Sequence, residues 1–322
     1  MKAATNSISL AQEMVKLLEE QKLTWPLLRD NYINLEKVKT KIFRFDGCDI
    51  TVQYNPARIV SSSAEVSKQA IEARPCFLCE RNLPAEQKIL RFNSSFNILC
   101  NPYPIFNRHY TITKDVHELQ SIQRHFSDFL KLAREAEESF TILYNGPKCG
   151  ASAPDHLHFQ AAPFKAMPIE NNLPEIANRY TKKFFRLNET ECRLIDDSMR
   201  KFVFLSSAYL EPLVAEIKRV YDALKDITRS SEEPMLNMIS SFINGRWQVI
   251  IFPRGKHRPD QYFAEGDGRL LISPAVVDLG GLLIVPRKED FEKISAEIII
   301  DIFRQVFIDD KTFESLSQRI LS

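Results

Sequence analysis

Imidazole and amide side chains alternate with apolar ones in the segment DHLHFQ, residues 155–160. This period of two predicts a β-strand with its apolar side chains on one face. The opposite face then carries three side chains with nitrogen donors or acceptors, which are His156, His158 and Gln160. Because two imidazoles on one strand face lie about 7 Å apart, they can hold a metal ion, attack phosphorus, or perform one task each.

A loop of glycine, proline and small residues, at 145–154, precedes this strand and follows another predicted strand at 140–144. Its backbone N–H groups can approach a ligand closely. Together with its polar side chains, they favour an anionic phosphate beside the histidines. The candidate substrate-binding positions of the loop are Asn145, Lys148, Gly150 and Ser152. The alternative is an ordinary hairpin whose polar face is merely solvated, although hairpins seldom collect these residue types together.

A Cys-x-x-Cys motif, Cys76 to Cys79, supplies two thiols that can bind one tetrahedral metal ion. A zinc site needs two further ligands, for which His117 and His156 are the candidates, and His109 could replace His117. A redox role would instead require the motif to open a helix of a thioredoxin-type unit, and a proline soon interrupts the chain. Two unrelated reduced cysteines are the simplest alternative, because a single Cys-x-x-Cys is a weak signal.

Composition and length place the chain among ordinary soluble globular proteins. Its 322 residues suffice for one large or two medium domains, with 44% hydrophobic and 26% charged residues. The net charge of +1 indicates neither a nucleic-acid nor a membrane partner, and no apolar run approaches the ~18 residues of a membrane span. The N-terminus lacks the apolar core of a signal peptide, and the scattered cysteines fit a reducing cytoplasm. Five of six histidines lie between His109 and His158, which predicts a single functional region.

Apolar periodicity predicts two halves that each combine strands with a long helix. The predicted elements of the first half are a helix at 9–22, a hairpin around Asp46-Gly47, strands at 96–100 and 109–113, a helix at 115–138, and the two strands that flank the loop. His125 falls in the middle of that helix and is interpreted as a surface or packing residue. We expect a compact α+β unit with helix on antiparallel sheet.

The second half lacks the His-x-His strand, so any chemistry belongs to the first half. Its predicted elements are a helix at 208–225, strands at 235–243, 247–252, 269–273 and 281–285, and helices at 288–307 and 311–321. The similar element content suggests a duplicated unit. The predicted domains are an N-terminal catalytic domain at 1–165, a linking region at 166–205 and a C-terminal domain at 206–322.

At this point the motifs resemble the histidine-triad superfamily. HLHFQ, preceded by Asn145 and a Gly/Ser loop, looks like the branch in which Gln replaces the third His. That branch contains galactose-1-phosphate uridylyltransferase, diadenosine tetraphosphate phosphorylase and GDP-L-galactose phosphorylase. The CFLC segment is similar to the zinc-binding cysteines of the uridylyltransferase, and DHLHFQAAP is most similar to the plant GDP-L-galactose phosphorylase motif. Residues 273–291 and the run QVIIFPRGK at 248–256 are similar to phosphorylase segments of the second domain.

The resemblance implies a fold of tandem histidine-triad-like domains, with antiparallel sheets flanked by helices and no catalytic His in the second domain. It also implies covalent catalysis, in which the neutral imidazole of His158 attacks the α-phosphorus of a nucleotide. Gln160 would donate a hydrogen bond to a non-bridging oxygen, and because it cannot relay protons as a third His could, it favours transfer over hydrolysis. Loop N–H groups and Ser152 would stabilise charge on the equatorial oxygens.

The remaining basic and histidine positions have two interpretations each. Arg254 and Lys256 could reach phosphates from the second half, or form a solvated basic strand end. His156 would serve the metal site, or orient phosphate if no metal is bound. Any zinc would be structural, because four protein ligands leave no open position for substrate.

The expected activity is that of a nucleotidyltransferase or phosphorylase that acts on a nucleoside diphosphate hexose, of GDP-hexose type, or on a dinucleoside polyphosphate. Inorganic phosphate or a sugar phosphate would be the second substrate. The first alternative is a hexose-1-phosphate uridylyltransferase. Less favoured are a histidine-triad hydrolase and a non-catalytic nucleotide- or zinc-binding module, against which the intact His158 and Gln160 argue. The resemblance also suggests a homodimer.

Overall fold

The computed structural model describes residues 8–59 and 67–321, which contain both strands and helices. The strands are β1 (Lys39–Phe45), β2 (Cys48–Tyr54), β3 (Leu90–Phe92), β4 (Phe96–Cys100), β5 (Tyr110–Lys114), β6 (Phe140–Asn145), β7 (His158–Pro163), β8 (Thr181–Leu187), β9 (Thr190–Asp196), β10 (Lys201–Ser207), β11 (Leu236–Ile243), β12 (Arg246–Pro253) and β13 (Leu282–Val285). The α-helices are α1 (Leu10–Thr24), α2 (Pro26–Leu35), α3 (Lys68–Glu72), α4 (Phe126–Ala136), α5 (Pro168–Tyr180), α6 (Leu210–Thr228), α7 (Asp260–Phe263), α8 (Val276–Leu279), α9 (Lys288–Lys293), α10 (Ala296–Val306) and α11 (Asp310–Leu321). Single 3₁₀ turns cover Pro56–Arg58, Glu80–Asn82, Glu137–Ser139 and Gly266–Gly268.

Ten of these strands form one antiparallel sheet in the order β3-β4-β5-β7-β6-β11-β12-β10-β9-β8. The order repeats one plan on either side of the β6–β11 pair. On each side, three strands that are consecutive in sequence are followed by a helix, α4 or α6, and then by a two-stranded hairpin. In the sheet, the second strand of the hairpin lies between its first strand and the group of three strands. The sheet therefore consists of two five-stranded units related by an approximate twofold axis, which confirms the tandem α+β fold predicted from the sequence.

Each face of the large sheet carries its own apolar layer. One layer contains Leu157, Phe159 and Ala161 and packs against helices α1, α4 and α6. The other contains Ala162 from β7 and packs against α5, α8, α10 and a small sheet of β1, β2 and β13. The apolar residues of β7 thus face the helices, as the period of two predicted. His158 and Gln160 face the opposite side.

The small sheet combines strands from the N-terminal and the C-terminal parts of the chain. Its β1–β2 hairpin turns at Asp46-Gly47, as predicted, and Gly47 has the positive φ of +78° that such a turn requires. Strand β13 pairs with β2 in parallel. The predicted N-terminal helix is confirmed as α1, which Ser9 and Gln12 begin with a reciprocal capping box. None of the described helices combines the length and apolar character needed to cross a bilayer.

The expected linking region at 166–205 is instead part of the second unit. It contains α5 and the strands β8, β9 and most of β10, and β10 pairs directly with β12. The sequence analysis missed the turn at Asn188-Glu189, whose two positive φ angles of 45° and 64° close the β8–β9 hairpin. The boundary at residue 165 stays a prediction.

Two other predicted elements are shorter or absent. The helix expected at 115–138 is confined to α4, because the backbone of the preceding segment bonds elsewhere: the Leu157 N–H donates to the Glu118 carbonyl, and the Gln120 N–H to the Pro154 carbonyl. The strand expected at 269–273 is irregular, since the Leu271 N–H is taken by the Asp290 carboxylate. Strand β7 begins at His158, so His156 lies in the loop before it.

Candidate active site and metal centre

The hairpin of β6 and β7 opens at the candidate site. Pairing between the strands runs from Phe140 opposite Pro163 to Leu143 opposite Gln160 and then stops. The buried side chain of Gln120 spans the gap, since its Nε2 donates to the carbonyls of Asn145 (2.8 Å) and His158 (3.1 Å) and its Oε1 accepts from the His158 N–H (2.8 Å). Gln120 therefore replaces the missing ladder bonds and fixes where the loop leaves each strand. The sequence analysis missed it, because it placed Gln120 in a helix.

His158 is held as one tautomer. Its Nδ1 lies 2.8 Å from the backbone carbonyl of His156, so Nδ1 carries the proton and donates it to that oxygen. Burial lowers the pKa of His158 to about 4, with the hydrogen bond to the His156 backbone opposing this shift. At neutral pH the ring is uncharged, and its Nε2 keeps a free lone pair. This is the state that a nucleophilic imidazole requires.

Two amide side chains near His158 are oriented by hydrogen bonds to their oxygens. The Oδ1 of Asn145 accepts from Asn237 Nδ2 (2.7 Å) and from the Val276 N–H (2.8 Å). The Oε1 of Gln160 lies 3.3 Å from Nε2 of His109. With both oxygens occupied, the amide N–H₂ groups of Asn145 and Gln160 are the ends left for a ligand.

A cavity of about 60 Å³ lies in front of these amides. Its lining is rich in polar side chains and loop backbone, which are the groups that bind a phosphate. The first-half residues that line it and were predicted from the sequence are Asn145, Gly150, Ser152 and Gln160. The lining residues that were not predicted include Arg58 from the end of β2 and His257, Arg258, Ser273 and Asp278 from the second half.

Arg58 and His257 present unpartnered nitrogens among the residues that the structure describes. Arg58 Nε and His257 Nε2 are buried and make no hydrogen bond there, although Arg58 also donates to the Tyr103 carbonyl at 2.8 Å. Burial lowers the pKa of Arg58 to about 10 and that of His257 to about 4, so Arg58 is charged and His257 neutral at pH 7. The Nε–H of Arg58 is a buried donor without a partner, which costs free energy, and the oxygen of an anionic ligand would remove that cost.

Three of the predicted phosphate-binding residues have other partners. Arg254 is buried, and its N–H groups donate to the carbonyls of residues 256, 257, 274 and 306 and to Asn237, which leaves none for a phosphate. Lys256 pairs with Asp260, and Lys148 pairs with Glu232 at the surface. The interpretation of Arg254 as a substrate ligand is therefore wrong. The residues that reach the cavity from this segment lie just beyond it, at His257 and Arg258.

Gly150 is required by a close approach between the two units. Its φ is +94°, and a Cβ at this position would lie 2.6 Å from the Cβ of Ala275. The loop between β6 and β7 is thus docked directly on the second unit. Its Ser152 then lines the cavity, as predicted.

The four predicted metal ligands come together beside the loop. The ligand atoms of Cys76, Cys79, His117 and His156 all lie within 4.8 Å of one another. Sγ of Cys76 is 3.3 Å from Nδ1 of His156, and Sγ of Cys79 is 3.3 Å from Nδ1 of His117. Two thiols and two imidazoles are a donor set that fits a tetrahedral metal ion. His109, the alternative ligand, is not part of this cluster, and its ring lies next to the side chain of Gln160.

His156 connects this metal centre to the candidate nucleophile. Its Nδ1 faces the cysteines, and its Nε2 donates to the Lys114 carbonyl at 2.8 Å, an arrangement that orients a metal-binding imidazole. Its own carbonyl accepts the proton on Nδ1 of His158. The neighbouring Asp155 is held by Arg74 through an ion pair of 2.8 Å. The position of His158 therefore depends on how firmly His156 is held.

Comparisons with known proteins agree with this geometry. Residues 17–163 match the family model described as "Domain of unknown function (DUF4922)", and residues 177–322 match the one described as "GDPGP1-like, C-terminal domain". Three crystal structures of yeast Ap4A phosphorylase Apa2 are similar over nearly their full length. The free enzyme gives a TM-score of 0.55 at 15% identity, covering 88% of this chain and 94% of that one. The AMP complex gives 0.57 at 14%, covering 91% and 96%, and the Ap4A complex 0.56 at 14%, covering 88% and 97%.

The chain therefore shares the fold of these yeast phosphorylase structures. A search of curated proteins finds no match. At 14–15% identity, the yeast structures establish the fold of this chain and leave its substrate open.

Within this fold, the structure brings most of the predicted site together. Asn145, Gly150, Ser152 and Gln160 line one cavity, and His158 lies on the same strand face as Gln160, about 7 Å along it. The missed residues come from distant segments: Arg58, Gln120 and His257. The available signal for His257 was its place in the run RGKHRP, which the sequence analysis followed only as far as Lys256.

Proposed function

We propose that this protein is a nucleotidyltransferase of the phosphorylase type, which acts through a covalent nucleotidyl-His158 intermediate. The observation that supports it is the hydrogen bond from Nδ1 of His158 to the His156 carbonyl, which leaves Nε2 unprotonated on the strand face that carries Gln160. Its substrate would be a nucleoside diphosphate hexose or a dinucleoside polyphosphate. The yeast enzyme whose fold it shares is named for a substrate of the second kind.

The proposed reaction consists of two in-line displacements at one phosphorus. In the first, Nε2 of His158 forms a bond to the α-phosphorus while the bond to the bridging oxygen breaks, and a sugar 1-phosphate or a nucleoside polyphosphate leaves. In the second, an oxygen of inorganic phosphate forms a bond to the same phosphorus while the P–N bond breaks. A nucleoside diphosphate departs, and neutral His158 is regenerated.

The cavity residues would act on the phosphate oxygens. The amide N–H₂ groups of Asn145 and Gln160 would donate to non-bridging oxygens, whose charge is spread in the transition state. Arg58 would neutralise one negative charge, and its Nε and that of His257 would gain the partners that they lack among the described residues.

We further propose that Cys76, Cys79, His117 and His156 hold zinc. Two thiolates and two imidazoles are a set that zinc favours. When bound, the metal would have a structural role, because four protein ligands leave no position for substrate. Its effect on catalysis would pass through His156, whose carbonyl orients the ring of His158.

The experiment that tests the function is product analysis with a substrate panel. The purified protein is incubated with GDP-hexoses, UDP-hexoses, ADP-glucose and diadenosine tetraphosphate, each with and without inorganic phosphate, and products are separated by anion exchange. Phosphate-dependent release of a nucleoside diphosphate or polyphosphate is expected. Exchange that requires a hexose 1-phosphate would instead establish a uridylyltransferase, and mononucleotide release with water alone a hydrolase. No turnover and no nucleotide on His158 by mass spectrometry would contradict the proposal.

A homodimer and a cytoplasmic location were suggested by the resemblance and by the cysteine content, and both stay predictions. Light scattering of the purified protein tests the first. Fractionation of cells that express the chain tests the second.

A further inference from the structure

A fully buried histidine outside the metal centre and the loop has a fixed place behind the cavity. His109, at the start of β5, is completely excluded from solvent. Its backbone is held on both sides, since its carbonyl accepts from the Asn101 N–H at 2.9 Å and its N–H lies 3.2 Å from the Tyr32 hydroxyl. Its ring packs edge-on against Phe106. The ring therefore has little freedom to rotate.

The hydrogen bonds of His109 select one tautomer. The Ile105 N–H points at Nδ1 from 3.2 Å, and because a backbone N–H can only donate, Nδ1 must accept. The proton of the neutral ring then lies on Nε2, 3.3 Å from Oε1 of Gln160. Burial, followed by the nearby charge of Arg58, lowers the pKa of His109 to about 3, so the ring stays neutral in the working range of pH.

We infer that His109 is a positioning residue that locks the side-chain amide of Gln160 with its N–H₂ group toward the phosphate cavity. A flipped amide would place N–H₂ against the Nε2–H of His109, where two donors face each other without an acceptor. It would also turn the amide oxygen toward an anionic ligand. No described residue accepts from Nε2 of Gln160, which leaves that donor for the substrate. This inference rests on the proposed function, because it assigns a direction to the hydrogen bond that Gln160 makes there.

Two variants of His109 separate this role from a merely structural one. His109→Gln keeps a donor near the position of Nε2 and loses the acceptor for Ile105. His109→Asn keeps an acceptor near the position of Nδ1 and loses the donor to Gln160. Both are assayed for kcat and KM with the substrate that the wild-type panel identifies, and for thermal unfolding.

We expect His109→Asn to lower kcat roughly a hundredfold with a much smaller change in KM, as for the loss of one preorganised donor. His109→Gln should restore most of kcat even if it unfolds at a lower temperature. The inference is overturned if Asn is as active as wild type, or if Gln loses as much kcat as Asn.

A measurement without turnover keeps the test independent of the proposed function. Nitrogen NMR of ¹⁵N-histidine-labelled wild-type protein reports which ring nitrogen of His109 bears the proton, with His109→Gln used to assign the signal. Protonated Nε2 supports the inference, and protonated Nδ1 overturns it, whether or not the protein turns over a nucleotide. Failure of the substrate panel with Nε2 protonated would count against the proposed function alone.

Discussion

The two five-stranded units differ most at the turn of their hairpins. In the second unit, β11 and β12 pair to their ends and are joined by Asn244-Gly245, whose positive φ angles of 51° and 74° are those of a tight two-residue turn. In the first unit, the strands part after Leu143 and Gln160, and residues 146–157 form a loop. The same strand arrangement thus yields a closed hairpin in one unit and an open hairpin with the candidate ligand site in the other.

The difference teaches that the candidate chemistry comes from opening one hairpin and not from a special fold. Opening removes ladder bonds, and three hydrogen bonds of Gln120 replace them. The second unit keeps its hairpin closed and contributes a wall of the cavity instead, through His257, Arg258 and Ser273. In the proposed mechanism, the first unit would supply the nucleophile, and the second unit would supply one wall of the cavity.

The largest expected effect is that of substituting the first residue in the second strand of each hairpin, which is His158 in β7 and Arg246 in β12. His158→Ala should lower turnover by about 10⁴-fold or more, because the nucleophile is removed, while the unfolding temperature changes little. Arg246→Ala, at the first position of β12, should leave turnover near wild type, since the side chain of Arg246 hydrogen-bonds to Ser206 and does not line the cavity. Steady-state kinetics and thermal unfolding of both variants provide the test. Full activity of His158→Ala would end the proposed mechanism.

The metal centre distinguishes the units next, since the described residues of the second unit contain no comparable cluster. Cys76→Ser should lower bound zinc and stability together, because metal binding contributes directly to folding free energy. Turnover should also fall as His156 loosens. The measurements are metal content by mass spectrometry and thermal unfolding. Cys100→Ala, a buried cysteine outside the cluster, is the control that should retain its metal. Unchanged metal content in Cys76→Ser would exclude the site.

A smaller effect is expected at the side chain that holds the open hairpin. Gln120→Leu leaves one N–H and two carbonyls without their partner, which should cost about 2–4 kcal/mol of unfolding free energy. Gln248→Leu, on β12 of the closed hairpin, should cost far less because no hydrogen bond is formed by its side chain within the described residues. Chemical denaturation measures both. Equal costs in the two variants would show that Gln120 does not bridge the strands.

The smallest expected effect concerns pH. Because burial lowers the pKa of His158 to about 4, the ring is neutral and nucleophilic from neutral pH down to about 5. We expect kcat/KM to stay level over that range and to fall only as the pH approaches 4, where protonation removes the lone pair. A rate profile from pH 4 to 8 on the best substrate measures this. An inflection near 6.5, the usual pKa of histidine, would show that His158 is not shielded as described.

Local signals in the sequence predicted much of the fold and the centre of the site. Strand alternation identified β7 and its polar face, and the spacing of Cys76 and Cys79 pointed to a metal cluster with His117 and His156. Apolar periodicity also indicated the two similar units.

The residues that were missed depend on contacts between distant segments. Gln120 lies in a segment with helical periodicity, but the backbone of that segment bonds to residues 154 and 157 instead of to its own next turn. Arg58 follows β2, and His257 follows β12. These two strands are far apart in the chain, and only the folded structure brings the residues that follow them to the same cavity. Arg254 was misassigned because sequence cannot show that carbonyl groups already occupy its guanidinium.

The pairing of β6 with β11 has a consequence for the stability of fragments of the chain. Asn145 is opposite Asn237 across this pair. Strand β6, which leads into the loop at 146–157, therefore also forms the interface between the two units. A fragment that ended after the first unit would expose the full edge of β6 as an unpaired strand, a surface prone to aggregation. We therefore expect the two units to fold and unfold in a single cooperative transition, and any ancestral one-unit form to have required a second copy at that edge.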